Sequence, residues 1–558
     1  MITRTALAWA CCALCLLSPP VLAIDAADEP GAVQRLEREQ LERLLQERRL
    51  KQQPVKPDIT LPPAPAAGPS SRIRNIPVKG FQLDPSAILS AEEIRAVLAP
   101  YEGRTLSLDD LFDAVASLNK RYIDKDMPTA RAFLPPQEIR DGIVRIRLVE
   151  ARVGEVRTGQ LTQIGPEFIQ QRLSLASGDL MSVTRLESDL MRFNRLHEVQ
   201  LRASVLPGKT AGTTDVQLEA AETPRHQFSV FADNAGRYTV GENRLGLTAR
   251  VAGLTGRGDS LLFSAIAAEG SDSYYLGYSV PLTREDVKLD VSYSQGGIEV
   301  VKGAFVPLDV SGKSKDFTVG LSRPLVVEAQ RMWSAYGRVS SKETVSEFGG
   351  ATQQDLDLLV LSLGASGEHQ NDASAWTLDI NLNQGARTLG GEASFFALRA
   401  NAAWLGRFGH RAQLVLRGGL QLSPTDLLPS SEQFQLGGSA SVRGYSEGLL
   451  SGRNGYLASA ELRYALQDPQ AGAARDPNMP LLTGFLFLDH GGAFPYRPSP
   501  LDEVTKNDFL TGAGLGLAVD WKRHVIARLA LAWALRDNPA EVQQREPRLH
   551  AAIAYNWP

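Results

Sequence analysis

The chain has 558 residues, with 59 Lys and Arg against 63 Asp and Glu and a formal net charge of −4, so it lacks the basic excess that marks a nucleic-acid-binding surface. Its three cysteines, Cys11, Cys12 and Cys15, all lie near the N-terminus. Disulfide frameworks and cysteine-based metal sites are thereby excluded from the rest of the chain.

Arg4 precedes an apolar run through Leu17 and then SPPVLA, with Val21 and Ala23 suitably small or apolar, so residues 1–23 are expected to be a secretory leader cleaved after Ala23. The run is shorter than the ~20 residues a spanning helix needs, and no later apolar run reaches that length. No cysteine stands at the leader's end, where a lipid-modified one would have to be. A chain of this kind can still enter a membrane as a β-barrel, whose strands show weak alternation rather than hydrophobic runs.

Residues 24–51 contain VQRLEREQLERLLQERRLK, from Val33 to Lys51, a helix by composition with Glu39 and Arg43, and Glu47 and Lys51, four apart in the favourable order. Leu36, Leu41, Leu44, Leu45 and Leu50 spread around the wheel. Such a helix suits a wet, polar container better than an apolar core, and an exposed charged helix fits the same residues. Residues 52–71, QQPVKPDITLPPAPAAGPSS, read as an extended, semi-rigid linker that buries nothing and tethers the helix.

Two units of like plan follow, residues 72–150 and 151–224, each strand, helix, helix, strand, strand, which is an α+β module. In the first, VKGFQL is a strand, Ser90 and Ser107 cap two helices, and TARAFLP and GIVRIRLVEARV are strands. The second has VGEVRT, GPEFIQQRL, SVTRLESDLMRFNRLHEV, QLRASVLPG and TTDVQLEAA.

From residue 225 to 558 the texture changes to period two. VKLDVSYS sets Val287, Leu289, Val291 and Tyr293 against Lys288, Asp290, Ser292 and Ser294, and RLHAAIAYNWP aligns Leu549, Ala551, Ile553, Tyr555 and Trp557. About sixteen such segments begin near Gln227, Arg244, Asp259, Ser273, Val287, Asp316, Arg331, Asp355, Ala375, Ser394, His410, Asn454, Thr483, Phe509, His524 and Pro547. The fold expected is a membrane β-barrel of about 16 antiparallel strands, preceded by two α+β modules and a helix. With the modules in the periplasm, odd-numbered connections face outward, including the longest, between strands eleven and twelve, which carries SVRGY.

No Ser-His-Asp set or G-x-S-x-G is visible, the histidines have no ligand spacing, and GAGLGLA lacks the context of a dinucleotide loop. No enzyme, cofactor or metal is expected. GRGDS, Gly256 to Ser260, falls in an inward turn, which argues against cell adhesion, and His490 beside Asp489 reads as a lumen residue.

Two modules ahead of a barrel carrying FQLGGSASVRGYSEGLLSGRNGYLASAELRY and FLFLDHGGAF resemble the outer-membrane transporters of two-partner secretion, the TpsB or haemolysin secretion/activation proteins. The modules then look like periplasmic POTRA domains, and the N-terminal helix like a plug ahead of them. LPPQEIRDGIVRIRLVEARVGEV supplies Pro136, Gln137 and Gly142 of the family stretch, and Leu186, Glu187, Leu190 and Asn194 match the helix pattern of the second module. Two positions depart: Asp126 and Met127 replace a usual Gly-Tyr pair, and Pro558 follows Trp557 where a terminal aromatic is usual.

The resemblance implies that the loop with Val442, Arg443, Gly444 and Tyr445 folds back into the lumen, where Arg443 pairs with Asp489 on the strand carrying Phe487 and Gly491. The chemistry suits that use, because a guanidinium keeps its charge and its fork matches a carboxylate. The implied activity is export across the bacterial outer membrane of a cognate large exoprotein, a TpsA-type adhesin or cytolysin. Its secretion signal is recognised in the periplasm, and it crosses unfolded. Outer-membrane lipid surrounds the barrel, and periplasmic chaperones and the barrel-assembly machinery are the implied partners in biogenesis, with no nucleic acid. The alternative is a barrel-assembly factor of the same superfamily, which usually carries more modules and lacks the helix and tether.

Overall fold

The computed structural model describes residues 29–51, 58–61, 75–159, 161–210, 212–387, 394–425, 428–468, 479–494, 508–522, 524–538, 541 and 546–557. The leader, most of the linker and Pro558 lie outside the described residues. The first element is helix α1, Pro30–Lys51, which Pro30 opens at a position where its missing N–H costs nothing.

Within the linker, Ile59–Thr60 forms a short strand, β1, paired in parallel with a strand of the second module. Ala203 N donates to Asp58 O at 3.0 Å, and Ile59 packs on that module's core. The expectation that residues 52–71 bury nothing is therefore corrected: prolines forbid pairing where they stand, but DITL between them is free to pair.

The first module comprises β2 (Ile76–Val78), β3 (Gly80–Leu83), α2 (Ala91–Leu98), β4 (Arg104–Leu106), α3 (Leu108–Asp124), β5 (Arg131–Phe133) and β6 (Ile143–Val149). Ser90 and Ser107 each close a capping box, with Glu93 and Asp110. The order β3-β6-β5 makes the sheet, and the unanticipated β4 pairs with β2. GIVRIRLVEARV is two strands rather than one: β6 ends at Val149 and β7, Arg152–Thr158, enters the next sheet.

The second module continues with α4 (Pro166–Gln170), α5 (Val183–Leu196), β8 (Gln200–Pro207) and β9 (Thr213–Ala221), in the order β1-β8-β9-β7. Leu186 and Leu190 are fully buried in its core while Glu187 is exposed, the outcome of helical spacing on an amphipathic helix. Asn194 is buried and mimics a strand: Leu201 N donates to its Oδ1 at 2.6 Å, and its Nδ2 donates to Leu201 O at 2.8 Å. Asn119 does the same to Ala132 in the first module, at 2.7 and 3.1 Å. Exposed Gln137 likewise brackets Arg145 N and O, both at 2.7 Å, beside exposed Pro136, and Gly142 turns the chain with φ 76°. At the departing pair, Asp126 takes φ 60°, a conformation that short polar side chains tolerate in place of glycine, and Met127 packs on the module core.

The barrel strands are β10 (His226–Asp233), β11 (Arg244–Ala252), β12 (Ser260–Ala267), β13 (Ser271–Pro281), β14 (Lys288–Glu299), β15 (Val310–Val327), β16 (Arg331–Phe348), β17 (Ala351–Gln370), β18 (Ser374–Arg387), β19 (Phe395–Phe408) and β20 (Ala412–Leu422). A hairpin, β21 (Phe434–Leu436) and β22 (Leu450–Gly452), then leaves the wall. The wall resumes with β23 (Asn454–Ala465), β24 (Leu481–Phe494), β25 (Asp508–Trp521), β26 (Val525–Ala534) and β27 (Arg548–Trp557). All sixteen wall strands pair antiparallel with their neighbours, and β27 closes on β10, with Trp557 opposite Phe228.

Two expected starts are late, since β15 begins at Val310 rather than near Asp316, and β17 at Ala351 rather than near Asp355. The missed residues, rich in Ser, Gly, Lys and Gln, extend past the apolar alternation. Outward faces carry exposed apolar residues such as Leu359, Leu361 and Leu363, and Leu549, Ile553, Tyr555 and Trp557 on the last strand, as lipid contact requires.

The second module docks on inward turns. Gly165 N donates to Gly256 O at 2.8 Å, so the GRGDS turn is a joint, and Asp259 in it is buried under Thr255 and Tyr278. Arg172 meets Asp286 at 2.7 Å in the next inward turn.

Replacing Asn194 by Ala strips both Leu201 groups of their partner and is expected to destabilise the second module by about 1–3 kcal/mol. Glu187→Ala should stay within about 0.5 kcal/mol. Amide hydrogen exchange along β8 measures both.

Candidate functional site in the barrel lumen

The connection between β20 and β23 turns inward instead of standing above the barrel. Its tip, between β21 and β22, is wholly enclosed: Val442 and Tyr445 are 0% exposed, and Arg443 is 5% exposed. Arg443 lies against β24, donating from Nε to Asp489 Oδ2 at 2.7 Å and from Nη2 to Oδ1 at 2.9 Å. Its backbone N and Ser459 Oγ add bonds to the same carboxylate at 3.2 and 2.7 Å. The guanidinium stacks on Phe487, with Cζ 3.5 Å from the ring centroid.

Sequence reasoning missed the second partner of Arg443. Glu461 on β23 accepts from Arg443 Nη1 at 2.6 Å, from Arg528 Nη2 at 2.6 Å and from Arg463 Nε at 2.7 Å. Glu461 and Arg463, two apart in the otherwise mostly apolar strand YLASAELRYA, were a readable signal that the inward face of this strand is charged.

Gly444 supplies a φ of 97°, and a side chain there would run into Trp533 and Ala534 of β26. Gly512 on β25 gives room on the other side, since a Cβ there would overlap Arg443 O. Tyr445 Oη lies 2.7 Å from Arg536 O and 3.0 Å from Thr511 O, tying the loop to two outward strand ends. Gly491 faces Leu436 of the hairpin. His490 is corrected: next to inward Asp489 on a strand, it faces outward, with Tyr456 Oη at 2.9 Å and the Phe509 ring beside it.

Helix α1 fills much of the remaining lumen, leaving a cavity of about 3000 Å³ around it. Polar bonds hold it. Arg38 meets Asp316 at 2.8 Å, Gln34 meets Ser294 and Ser314 at 3.0 and 2.6 Å, and Arg244 donates to Gln40 at 2.7 Å. Glu39 pairs with Arg35 at 2.8 Å, and Glu47 turns to the wall, 2.9 Å from Arg463 and 3.3 Å from Arg417. Leu44 remains exposed inside the cavity, in keeping with a wet container. Higher in the lumen, fully buried Glu432 on the returning loop joins Lys342 and Arg399 of the wall, both at 2.5 Å.

A helix and an inturned loop occupy the lumen of a sixteen-stranded barrel. The family model for haemolysin secretion/activation proteins ShlB/FhaC/HecB matches residues 212–519, and the ShlB-type POTRA model matches residues 76–151. The chain belongs to this family. Its members are outer-membrane transporters of two-partner secretion, and this chain is one of them.

Among curated relatives, the outer membrane transporter CdiB of Dickeya dadantii is 24% identical over 461 residues, 76% of this chain and 77% of the relative. The heme/hemopexin transporter protein HuxB of Haemophilus influenzae is 25% identical over 454 residues, 76% and 78% of the two chains. The solved structure of CdiB from Escherichia coli superposes with a TM-score of 0.68 at 19% identity, covering 96% of this chain and all of that one. It shares the fold.

Arg443→Ala strands Asp489, which keeps only the Ser459 side chain, while Glu461 keeps Arg463 and Arg528, and the change is expected to cost the loop's docking about 3–5 kcal/mol. Exchanging the charges, Arg443→Asp with Asp489→Arg, should not restore docking, because the new Asp faces Glu461; adding Glu461→Gln should restore part of it. Maleimide labelling of a cysteine placed at Ser441 reads the docking directly.

Proposed function

We propose that the two modules capture a large, unfolded exoprotein by its N-terminal secretion signal, and that this cargo crosses the lumen after α1 and the inturned loop yield. The observation that carries the reading is α1 itself, a charged helix held in the pore by polar contacts that water can replace. Residues 24–51 then act as the plug, and the Arg443–Asp489 pair as the loop's anchor. Capture fits the first module, where the edge strand β3 borders a groove of about 460 Å³ lined by Phe81, Leu83, Leu89, Ile94 and Leu98. An extended segment could add to that edge and place alternate apolar side chains in the groove. The chain carries out secretion without a catalytic step of its own, and folding of the cargo outside biases its movement outward.

Deleting residues 24–51 is expected to raise the closed-state conductance in planar bilayers severalfold; an unchanged current would refute the plug. Ile94→Asp should weaken binding of the cargo's signal segment about tenfold in a solution binding assay. Loss of the protein should strand one exoprotein in the periplasm, whereas loss of many outer-membrane barrels would favour the assembly-factor alternative.

A further inference from the structure

We propose that the lumen wall at Arg417, Arg463 and Arg528 is a carboxylate subsite, held at rest by Glu47 of α1 and taken over by acidic side chains of an extended polypeptide once the helix leaves. It rests on the reading of α1 as a plug.

Four guanidiniums meet here, from Arg417, Arg463 and Arg528 of the wall and Arg443 of the loop, and Glu461 and Asp489 are the wall carboxylates that all but Arg417 are seen to bond. Asp489 is consumed by the side chain and backbone of Arg443 and by Ser459. Glu461 gives Oε2 to Arg443 and Arg528, each at 2.6 Å, and Oε1 to Arg463 at 2.7 Å. Asp489 is thereby full, and neither Arg417 nor the outer nitrogens of Arg463 bond to the one acceptor site left on Glu461 Oε1.

Glu47 supplies what the wall lacks. Its Oε1 accepts from Arg463 Nη1 at 2.9 Å and its Oε2 from Arg417 Nη2 at 3.3 Å, so one carboxylate projecting from the lumen axis bridges β23 and β20. Even then Arg463 Nη2 is buried without an acceptor, on a side chain only 9% exposed. The site thus offers more donors than its resident fills.

Arginine cannot shed its proton to relieve the loss of Glu47, so the vacated site must draw in another anion. Across the same cavity the cations of β16, Arg338 and Lys342, stand in register with Asp290 and Asp316 of β14 and β15, so that side carries both signs. The arginines that Glu47 bridges lose that carboxylate when the helix leaves, and a passing chain's carboxylates are directed to them. Glu47 already demonstrates the stereochemistry, a peptide carboxylate reaching this wall from the pore axis.

The test uses the full chain with Glu47→Ala, with and without Arg417→Gln and Arg463→Gln, and takes decameric oligoglutamate and oligolysine as probes. In planar bilayers, oligoglutamate should block at a concentration at least about tenfold below that of oligolysine, and the two arginine substitutions should erase that preference. Equal block by the two peptides, or a preference the substitutions leave intact, overturns the proposal. If the Glu47→Ala channel never opens, the helix is still seated by its other contacts, and the chain lacking residues 24–51 takes its place in both arms. The subsite is then decided by calorimetric titration of the same proteins in detergent: binding of oligoglutamate weakened about tenfold by the substitutions supports it, and binding that ignores them overturns it.

Discussion

Closure of β27 on β10 is the constraint from which the rest follows. In lipid an open sheet edge would leave a row of backbone groups unpaired, so the sheet has to return on itself. Sixteen strands enclose a lumen far wider than wall side chains can fill, and their inward faces must be polar because water lies there. A resting channel of this size would leak unless something else occupied it. The chain meets that need from its own length, with α1 from one end and the loop between β20 and β23 from the other.

Both fillers are secured electrostatically, yet differently. The loop tip is dry and over-determined: Arg443 shares two carboxylates and an aromatic face, and the backbone glycines on either side let it lie flat on the wall. Pairs this enclosed are costly to break. The helix makes polar contacts that are mostly half-buried, spread over several strands, with part of the cavity still open around it. The two share a wall, because Arg463 touches Glu47 of the helix on one side and Glu461, the partner of Arg443, on the other. Removing the helix alters the charge balance seen by the loop's anchor without any movement of the wall.

Much of this was readable in the sequence because alternation is a local property. The number of wall strands and the position of the long loop between strands eleven and twelve follow from period two, whereas the loop's return into the lumen and the Arg443–Asp489 meeting rest on the family resemblance. Harder to read was whatever depends on partners distant in sequence. Glu461 shows in sequence that the inward face of β23 is charged, but not that Arg443 and Arg528 both reach it. Asn119 was legible, since Leu111, Val115, Leu118 and Asn119 repeat the spacing of Leu186, Leu190, Phe193 and Asn194. The outward turn of His490 was in principle legible, since a strand that points Asp489 inward must point its neighbour out. The linker misled for a different reason: its average composition hides Ile59, one apolar residue with a ready edge to join.

That short strand also sets the leash of the helix. With Asp58 pinned to Ala203 of the second module, six residues separate Lys51 from the pin, a span that chain geometry limits to at most about 25 Å. A helix on so short a tether stays at an effective concentration in the millimolar range at the mouth it left. For the plug proposed above, re-entry is then a first-order event that does not depend on how much transporter the membrane holds, and a pore emptied of its proposed cargo would close itself.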